Sequence, residues 1–308
     1  MKKTLIASAV AATLSSGAFA MDNSHAEKLL GMFDTMPKIS GDIEIYGQYT
    51  DIDGVADNND GITDDVDSSI AFDHSTAISE ETTAYAHVEF LYNSTVEGSG
   101  LGSDESYVGF KGGFGDISFG TDDSVYESVD IIDYSENLTG LAAGDMLDAE
   151  ESQTINYSTP TIGDNIVVSA TIQTDEDEDN IGALVAAYSE GDVTFNFGYG
   201  MNDEAEDVIG LSGSYTMDDL TITGQFETQD ESGDFMGVLA TYAMGANTLN
   251  FGIMTFGPED GDDVTGISGS VVHSLADNVY VYVEALLQSS DDDGSEMDQF
   301  NVGMAYSF

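Results

Sequence analysis

The chain has no cysteine and no arginine among its 308 residues, and only five lysines. Without cysteine it can form neither disulfides nor thiolate metal sites, and it has no cysteine nucleophile. With so few basic residues it cannot neutralise a phosphate backbone, which excludes nucleic acid as a partner. Beyond residue 20 it has no run of about 18 consecutive apolar residues, the length that a membrane-spanning helix requires.

The first twenty residues, "MKKTLIASAVAATLSSGAFA", have the features of an export signal. Two lysines precede an apolar stretch, and the segment ends on the small-x-small pattern Ala18-Phe19-Ala20. This arrangement predicts a signal peptide, residues 1–20, that is cleaved after Ala20. The alternative, an N-terminal membrane anchor, is disfavoured because the apolar stretch is short. The protein is therefore expected to leave the cytoplasm of a bacterium.

Acidic residues are abundant: there are 59 of them. Loss of Lys2 and Lys3 with the signal peptide leaves three lysines and changes the formal charge from −54 to −56. Such a charge destabilises a compact fold by self-repulsion in dilute salt. At 1 M ionic strength the Debye length shrinks to about 3 Å, which removes most of that cost. The composition therefore indicates a halophilic or marine bacterium, and its 41% hydrophobic content argues against disorder.

Short segments with period-two alternation repeat from residue 39 to the C-terminus. In "VTFNFGYG", Val193, Phe195 and Phe197 share one face, while small and polar residues occupy the other. Only three prolines occur, and none lies in the interior of a segment, as a paired ladder requires. The chain is therefore predicted to be all-β, with sixteen strands at about 39–50, 68–78, 82–93, 104–113, 115–121, 152–160, 165–174, 181–189, 193–201, 207–217, 220–229, 234–244, 247–257, 265–275, 278–289 and 298–308.

The connections between these segments alternate strictly in length. Short ones such as "SEGD" at 189–192 alternate with long acidic ones such as "SSDDDGSEMD" at 289–298. An antiparallel up-and-down meander then has all its long loops at one end, as in bacterial outer-membrane barrels. About ten residues at ~3.3 Å each, tilted by ~40°, span roughly the 25 Å of the apolar band. A secreted, acidic, cation-binding β-sandwich is the alternative, since it has the same strand alternation.

Residues 106–124, "SYVGFKGGFGDISFGTDDS", resemble the fourth and fifth strands of neisserial-type general porins. The last residues, Tyr306-Ser307-Phe308, resemble the closing strand of that family. The resemblance covers 39–308 in layout, and 106–124 and the last strand in motif. It implies a transmembrane barrel of sixteen strands, a homotrimer, a long third loop folded into the lumen, and passive diffusion of small hydrophilic solutes and ions across the outer membrane. It also implies that Phe308 faces membrane lipid and is read by the barrel-assembly machinery.

The third long connection, 121–151, is the candidate constriction. Its apolar residues, among them Val129, Ile132 and Leu138, need a surface to pack against, which favours the lumen over an external position. Rings of carboxylates favour cations in a pore. The expected constriction acids are Asp122, Asp123, Glu127, Asp130, Asp133 and Glu136. The alternative is one more acidic external loop.

Strand parity places further charged residues on the lumen wall. Lys111 is the only basic residue among them, and the family's usual Gly-Arg after the fifth strand is Gly120-Thr121 here. Lys111 is either the remainder of the family's basic cluster or the partner of a nearby acid. The acids that parity assigns to the wall are Asp42, Glu44, Glu89, Glu227 and Glu284.

Other patterns predict no chemistry. The spacing of three histidines, His74, His87 and His273, is typical of neither a metal site nor a catalytic site. Residues 56–67 resemble an EF-hand loop but lack its first and last ligands. Neither an enzyme nor a cofactor is predicted. Residues 21–38 form an N-terminal extension, either a short helix ended by Pro37 or a loosely ordered leader. The rivals to a cation-preferring diffusion channel are a substrate-specific channel, the secreted sandwich and, more remotely, an esterase-type barrel.

Overall fold

The computed structural model describes residues 36–52, 61–63, 68–95, 100–132, 135, 137–138, 146–147, 153–174, 180–202, 206–290 and 296–308. The predicted signal peptide and nearly all of the N-terminal extension and of the EF-hand-like segment lie outside these ranges. Residues 39–308 form one unit. Its strands are β1 (Lys38–Ile52), β2 (Gly61–Thr63), β3 (Ser69–Ala77), β4 (Thr82–Leu91), β5 (Gly102–Gly112), β6 (Gly115–Thr121), β7 (Thr154–Ser158), β8 (Ile166–Gln173), β9 (Ile181–Glu190), β10 (Val193–Asn202), β11 (Val208–Met217), β12 (Leu220–Gln229), β13 (Gly233–Met244), β14 (Asn247–Pro258), β15 (Val264–Ala276), β16 (Val279–Ser290) and β17 (Met297–Ser307).

Sixteen of these strands form a closed antiparallel barrel in which each pairs with its neighbours in sequence. The first and last strands complete the ring, because β1 pairs with β17 from Asp42 opposite Ser307 to Ile52 opposite Met297. β1 also pairs with β3 on its other side. This closed ring confirms the predicted sixteen-stranded barrel and overturns the sandwich alternative.

Two local features differ from the sequence prediction. β2 is an extra three-residue strand within the first long acidic connection, where it pairs with β1 at Tyr46, Gly47 and Gln48. β7 spans only Thr154–Ser158, which is shorter than the predicted 152–160. β2 lies within a long connection, and β7 begins directly after one.

The two faces of the barrel differ in the way that the alternation predicts. Phe195 and Phe197 of β10 are 47% and 41% exposed, while Gly198 between Phe197 and Tyr199 is buried. The exposed large apolar residues recur at alternate positions around the ring. They form its outer face, and the polar and small residues of the same strands form its inner face.

A β-bulge interrupts the ladder between β4 and β5. Val88 pairs with Ser106 but Phe90 pairs with Ser103, so that two residues of β5, Asp104 and Glu105, face one residue of β4. Both are partly buried, whereas Ser103 and Ser106 on either side are exposed. A bulge of this kind re-aims side chains and sharpens the local twist. Here it turns two consecutive acids away from the outer face.

Helix is almost absent from the described part of the chain. A single 3₁₀ turn, Val125–Ser128, follows β6 in the third long connection. In the portion of the chain that the structure describes, no helix is both long and apolar enough to cross a membrane.

Candidate functional site

The third long connection begins with a capped turn directly after β6. Ser124 precedes the 3₁₀ helix with an extended backbone, and its Oγ accepts a hydrogen bond from the Tyr126 backbone N–H at 3.2 Å. The Val125 N–H donates to Oγ1 of Thr171 on β8 at 2.8 Å. The side chain of Ser124 thus ends the extended strand and starts the turn, as capping serines do. The chain is thereby directed across the inner face of the barrel.

Apolar side chains attach this segment to the inner wall. Tyr126 and Val129 are 1% and 0% exposed and pack against Val185 and Val208 of β9 and β11. Ile132 packs against Phe235, Leu239 and Met254 of β13 and β14, and Leu138 packs against Leu286 of β16. Burial of each such side chain stabilises the contact by about 1.5–3 kcal/mol. The sequence argument that these apolar residues need a packing surface agrees with this placement.

Three inner-wall glycines leave the space that the segment occupies. A Cβ at Gly198 would lie 2.6 Å from Val129 Cγ2 and 2.8 Å from the Tyr126 ring. At Gly210 it would lie 2.5 Å from the Tyr126 hydroxyl oxygen and 2.6 Å from Val129 Cγ1. At Gly237 it would overlap Ile132 Cδ1. A side chain at any of these positions would therefore overlap the segment and weaken its contact with the wall.

Hydrogen bonds with β12 fix the first half of the segment. The Tyr126 hydroxyl donates to Glu227 Oε2 at 3.0 Å. The Ile131 backbone N–H donates to Gln225 Oε1 at 2.9 Å, and the Gln225 amide in turn donates to Glu227 at 2.6 Å. Glu227 is fully buried. A buried carboxylate needs such partners, because removing it from water without them is costly.

Asn137 fixes the second half of the segment. Its backbone N–H donates to Glu284 Oε1 at 2.8 Å, and its side-chain amide donates to Glu44 Oε1 at 2.7 Å. Its carbonyl oxygen accepts from the Asn301 amide at 2.7 Å. The Tyr282 hydroxyl also donates to Glu44. The strands β1, β16 and β17 thus meet on one loop residue.

Three of the acids that parity assigned to the wall therefore accept hydrogen bonds from the third connection. Glu44, Glu227 and Glu284 lie on the inner face, but they are only 8%, 0% and 2% exposed because the segment covers them. Strand parity gives the inner face for these three acids. That the third connection buries them depends on contacts between residues far apart in the sequence, which parity does not describe. They position the segment and offer almost no surface to a solute.

The acids of the segment itself have mixed surroundings. Asp122 is half-buried and accepts hydrogen bonds from Ser118 Oγ at 2.7 Å and from the Asn156 amide at 2.9 Å. Asp123 and Glu127 are exposed, and Asp130 is partly buried. Asp133 and Glu136 lie outside the described residues. Of the described acids in the segment, Asp123 and Glu127 are therefore the exposed ones.

A second stretch of the inner face, on β1 and on β3 to β5, carries the remaining predicted residues. The Lys111 ammonium lies 5.5 Å from the centre of the Tyr85 ring, within the range of a cation–π contact. The Asp42 carboxylate accepts a hydrogen bond from Ser69 Oγ at 2.9 Å. Glu89 lies beside His87, at 3.4 Å between Oε2 and Nε2.

Sequence reasoning missed the residues that hold the segment in place. Tyr126, Gln225 and Asn137 have no motif, and their partners are about a hundred residues away or more. One signal was available: glycines at alternate positions on predicted inner faces, such as Gly198 and Gly200, indicate that something approaches the wall closely.

The comparisons with known proteins agree with this architecture. The Gram-negative porin family model matches residues 7–307. The chain therefore belongs to the Gram-negative porin family, and its location is the outer membrane. Family and fold together point to a channel.

The individual proteins that the chain resembles share low sequence identity with it. A monosaccharide porin from Halomonas sp is 27% identical over 202 residues, which is 59% of this chain and 52% of the relative. The chain thus spans about half the length of the curated relatives it matches. An anion-selective porin from Comamonas acidovorans has a TM-score of 0.75 at 17% identity, covering 88% of this chain and 99% of its own. The trimer form of OmpT, an outer membrane protein of Vibrio cholerae, has a TM-score of 0.71 at 18% identity, with the same coverage. At these identities the structural likeness concerns the fold alone.

Proposed function

We propose that the protein is a diffusion porin through which small hydrophilic solutes and ions cross the outer membrane passively, with a preference for cations. The observation that carries this proposal is the acidic turn on the inner wall. Asp123, Glu127 and Asp130 lie on a segment whose apolar side chains are buried against β9 to β14. The segment narrows the barrel and presents carboxylates to whatever passes.

Charge on the rest of the chain supports the preference for cations. No arginine occurs anywhere, and Lys111 is the one basic residue that the sequence predicts for the wall. Carboxylates replace part of the hydration that a cation loses in a narrow pore, and their field raises the local cation concentration. The same carboxylates repel anions. The Halomonas relative, together with the acid-rich composition, supports a saline habitat.

Reversal potentials measured in planar bilayers test the proposal. Under a tenfold potassium chloride gradient an ideally cation-selective channel gives about 59 mV, and the zero-current potential should have the sign of the potassium equilibrium value. Replacement of Asp123, Glu127 and Asp130 by their amides should move this potential towards zero. The preference should also weaken in molar salt, where the Debye length is about 3 Å. An anion preference in the unmodified channel would overturn the proposal.

A matched control separates the turn from general surface charge. Glu259, Asp260 and Asp262 lie between β14 and β15 in another acidic connection. Amide replacement of these three removes the same formal charge. We expect a smaller loss of selectivity from this set, because a charge at a constriction acts on every passing ion. Equal losses from the two sets would place the third connection outside the conduction path.

A sugar-selective channel is a second candidate. The relative from Halomonas is a monosaccharide porin, and the inner face of β4 and β5 carries Tyr85 and Tyr107 with ring centres 6.3 Å apart. Aromatic rings can stack on the apolar faces of sugars. Liposome swelling in glucose and in an uncharged non-sugar of equal size discriminates between the candidates. A general diffusion channel admits both at similar rates, and a sugar channel prefers glucose.

We further propose a homotrimer, because OmpT of Vibrio cholerae, which shares the fold, has a trimer form. Residues 1–20 are proposed as the signal peptide and 21–38 as an extension before the barrel. Phe308 is proposed as the residue that the barrel-assembly machinery reads. Cross-linking of the protein in native membranes tests the trimer: only monomers at saturating cross-linker would contradict it.

A further inference from the structure

A histidine and two glutamates meet on the inner wall without any sequence spacing that predicts it. His87 and Glu89 are two residues apart on β4, and Glu105 lies beside them on the paired strand β5. One ligand atom from each lies within 4.8 Å of the other two. Imidazole nitrogen with two carboxylates is a ligand set for zinc and similar divalent transition metals.

The distances suit a tetrahedral ion. His87 Nε2 lies 3.4 Å from Glu89 Oε2 and 3.3 Å from Glu105 Oε2. Two ligand atoms bound at about 2.1 Å in tetrahedral geometry are about 3.4 Å apart. The Nε2 atom is shielded from solvent and makes no hydrogen bond, although two carboxylates surround it. Between two carboxylates, Nε2 requires positive charge, which either a proton on the nitrogen or a bound metal ion supplies.

The far side of the imidazole is arranged as in many metal sites. His87 Nδ1 lies 2.8 Å from Asp73 Oδ1. A carboxylate only accepts hydrogen bonds, so Nδ1 carries a proton, and in the neutral imidazole Nε2 then holds the lone pair that a metal ion needs. A carboxylate–histidine–metal relay of this type fixes the tautomer and makes the free nitrogen a better ligand. The Tyr107 ring stacks on the imidazole at 5.1 Å between ring centres, which holds the ring plane.

We propose that His87, Glu89 and Glu105 form a binding site for a divalent transition metal such as Zn²⁺ on the inner wall, with Asp73 as the residue that positions His87. All three ligands are partly accessible, with side chains 14%, 23% and 22% exposed, so that an ion can enter from the interior of the barrel. Three protein ligands leave one tetrahedral position for water. Ca²⁺ and Mg²⁺ favour six or more oxygen ligands, so this site discriminates against them.

Cobalt binding tests the site without any measurement of current, so the outcome does not depend on the proposed transport function. The folded full-length protein in detergent, with excess Mg²⁺ occupying weak carboxylate sites, is titrated with Co²⁺ and then with Zn²⁺. We expect one Co²⁺ per chain with a visible absorption band that one equivalent of Zn²⁺ abolishes. His87→Ala should remove the band, and Asp73→Asn should weaken affinity by about 10–100-fold.

His273→Ala is the matched control, because it removes another strand histidine, whose Nδ1 lies 2.9 Å from Asn247 Oδ1. The band should persist in this variant, and gel mobility before and after boiling should verify the fold of each variant. Equal Co²⁺ affinity and stoichiometry in His87→Ala and the parent would show adventitious binding and overturn the proposal. Failure of the parent to bind Co²⁺ above the Mg²⁺ background would show that a protonated imidazole closes the cluster, and would overturn it equally.

Discussion

The inner-wall glycines allow the attachment of the third connection to be weakened without any change of charge. Gly198, Gly210 and Gly237 each lie directly beneath Tyr126, Val129 or Ile132. The triple variant with alanine at all three glycines places a methyl group in each contact. We predict that the segment leaves the wall in a large fraction of molecules, which widens the conduction path.

A comparison of two free energies, the cost of overpacking and the gain from burial, indicates that one substitution does not detach the segment and that three do. Overpacking typically costs about 1–3 kcal/mol for each site, or about 3–9 kcal/mol if the three add. Burial of the three anchoring side chains stabilises the attached state by roughly 5–9 kcal/mol at about 1.5–3 kcal/mol each. A single alanine therefore leaves the segment attached, whereas the triple variant makes the attached and detached states comparable in free energy.

Single-channel conductance and reversal potential measure the effect. The triple variant should show higher or fluctuating conductance and a weaker cation preference. Gly224→Ala is the control, because its added Cβ has no neighbour closer than the Gly237 carbonyl oxygen at 3.9 Å. Heat-dependent gel mobility should show that all variants remain folded barrels. Conductance and selectivity in the triple variant equal to those of the parent would refute the reasoning that the segment narrows the path.

Two further predictions concern assembly and salt. Phe308 is 46% exposed, and its backbone N–H donates to the Gly41 carbonyl at 2.9 Å. The Phe308→Asp variant should sharply lower the yield of heat-modifiable protein in the outer membrane. A normal yield would contradict the proposal that the assembly machinery reads Phe308. Because the formal charge is −54 for the full chain, the melting temperature should fall as the Debye length grows from about 3 Å at 1 M to about 30 Å at 0.01 M salt. A melting temperature that is constant over this range would remove the argument for a saline habitat.

The barrel could be predicted from the sequence because its determinants are local. Alternation in β10 or β12 and the regular change between short and long connections depend on neighbouring residues only. The bulge at Asp104 and Glu105 could not be predicted in this way, since one inserted residue reverses the parity of everything before it in the strand. Parity from Tyr107 alone places Glu105 inside, but it does not reveal that Asp104 turns inward as well.

The site was predictable in part. Apolar residues inside an acidic connection predicted its packing on a wall, and Val129, Ile132 and Leu138 are buried there. Parity also predicted the face of Glu44, Glu227 and Glu284. That these carboxylates are covered, and that His87 meets Glu105, depends on which strands are adjacent and how their registers align. Spacing along a single strand carries no such information.

The position of Asn137 has a consequence for the order in which the molecule is built. It binds Glu44 of the first strand together with Glu284 and Asn301 of the last two, residues that come from opposite ends of the chain. This set of hydrogen-bond partners is complete only after β1 has paired with β17. Before the ring closes, Asn137 can reach partners on only one side of the gap between β1 and β17. We therefore expect the third connection to dock after closure, and its hydrogen bonds then link the first strand to the last two from the inner face.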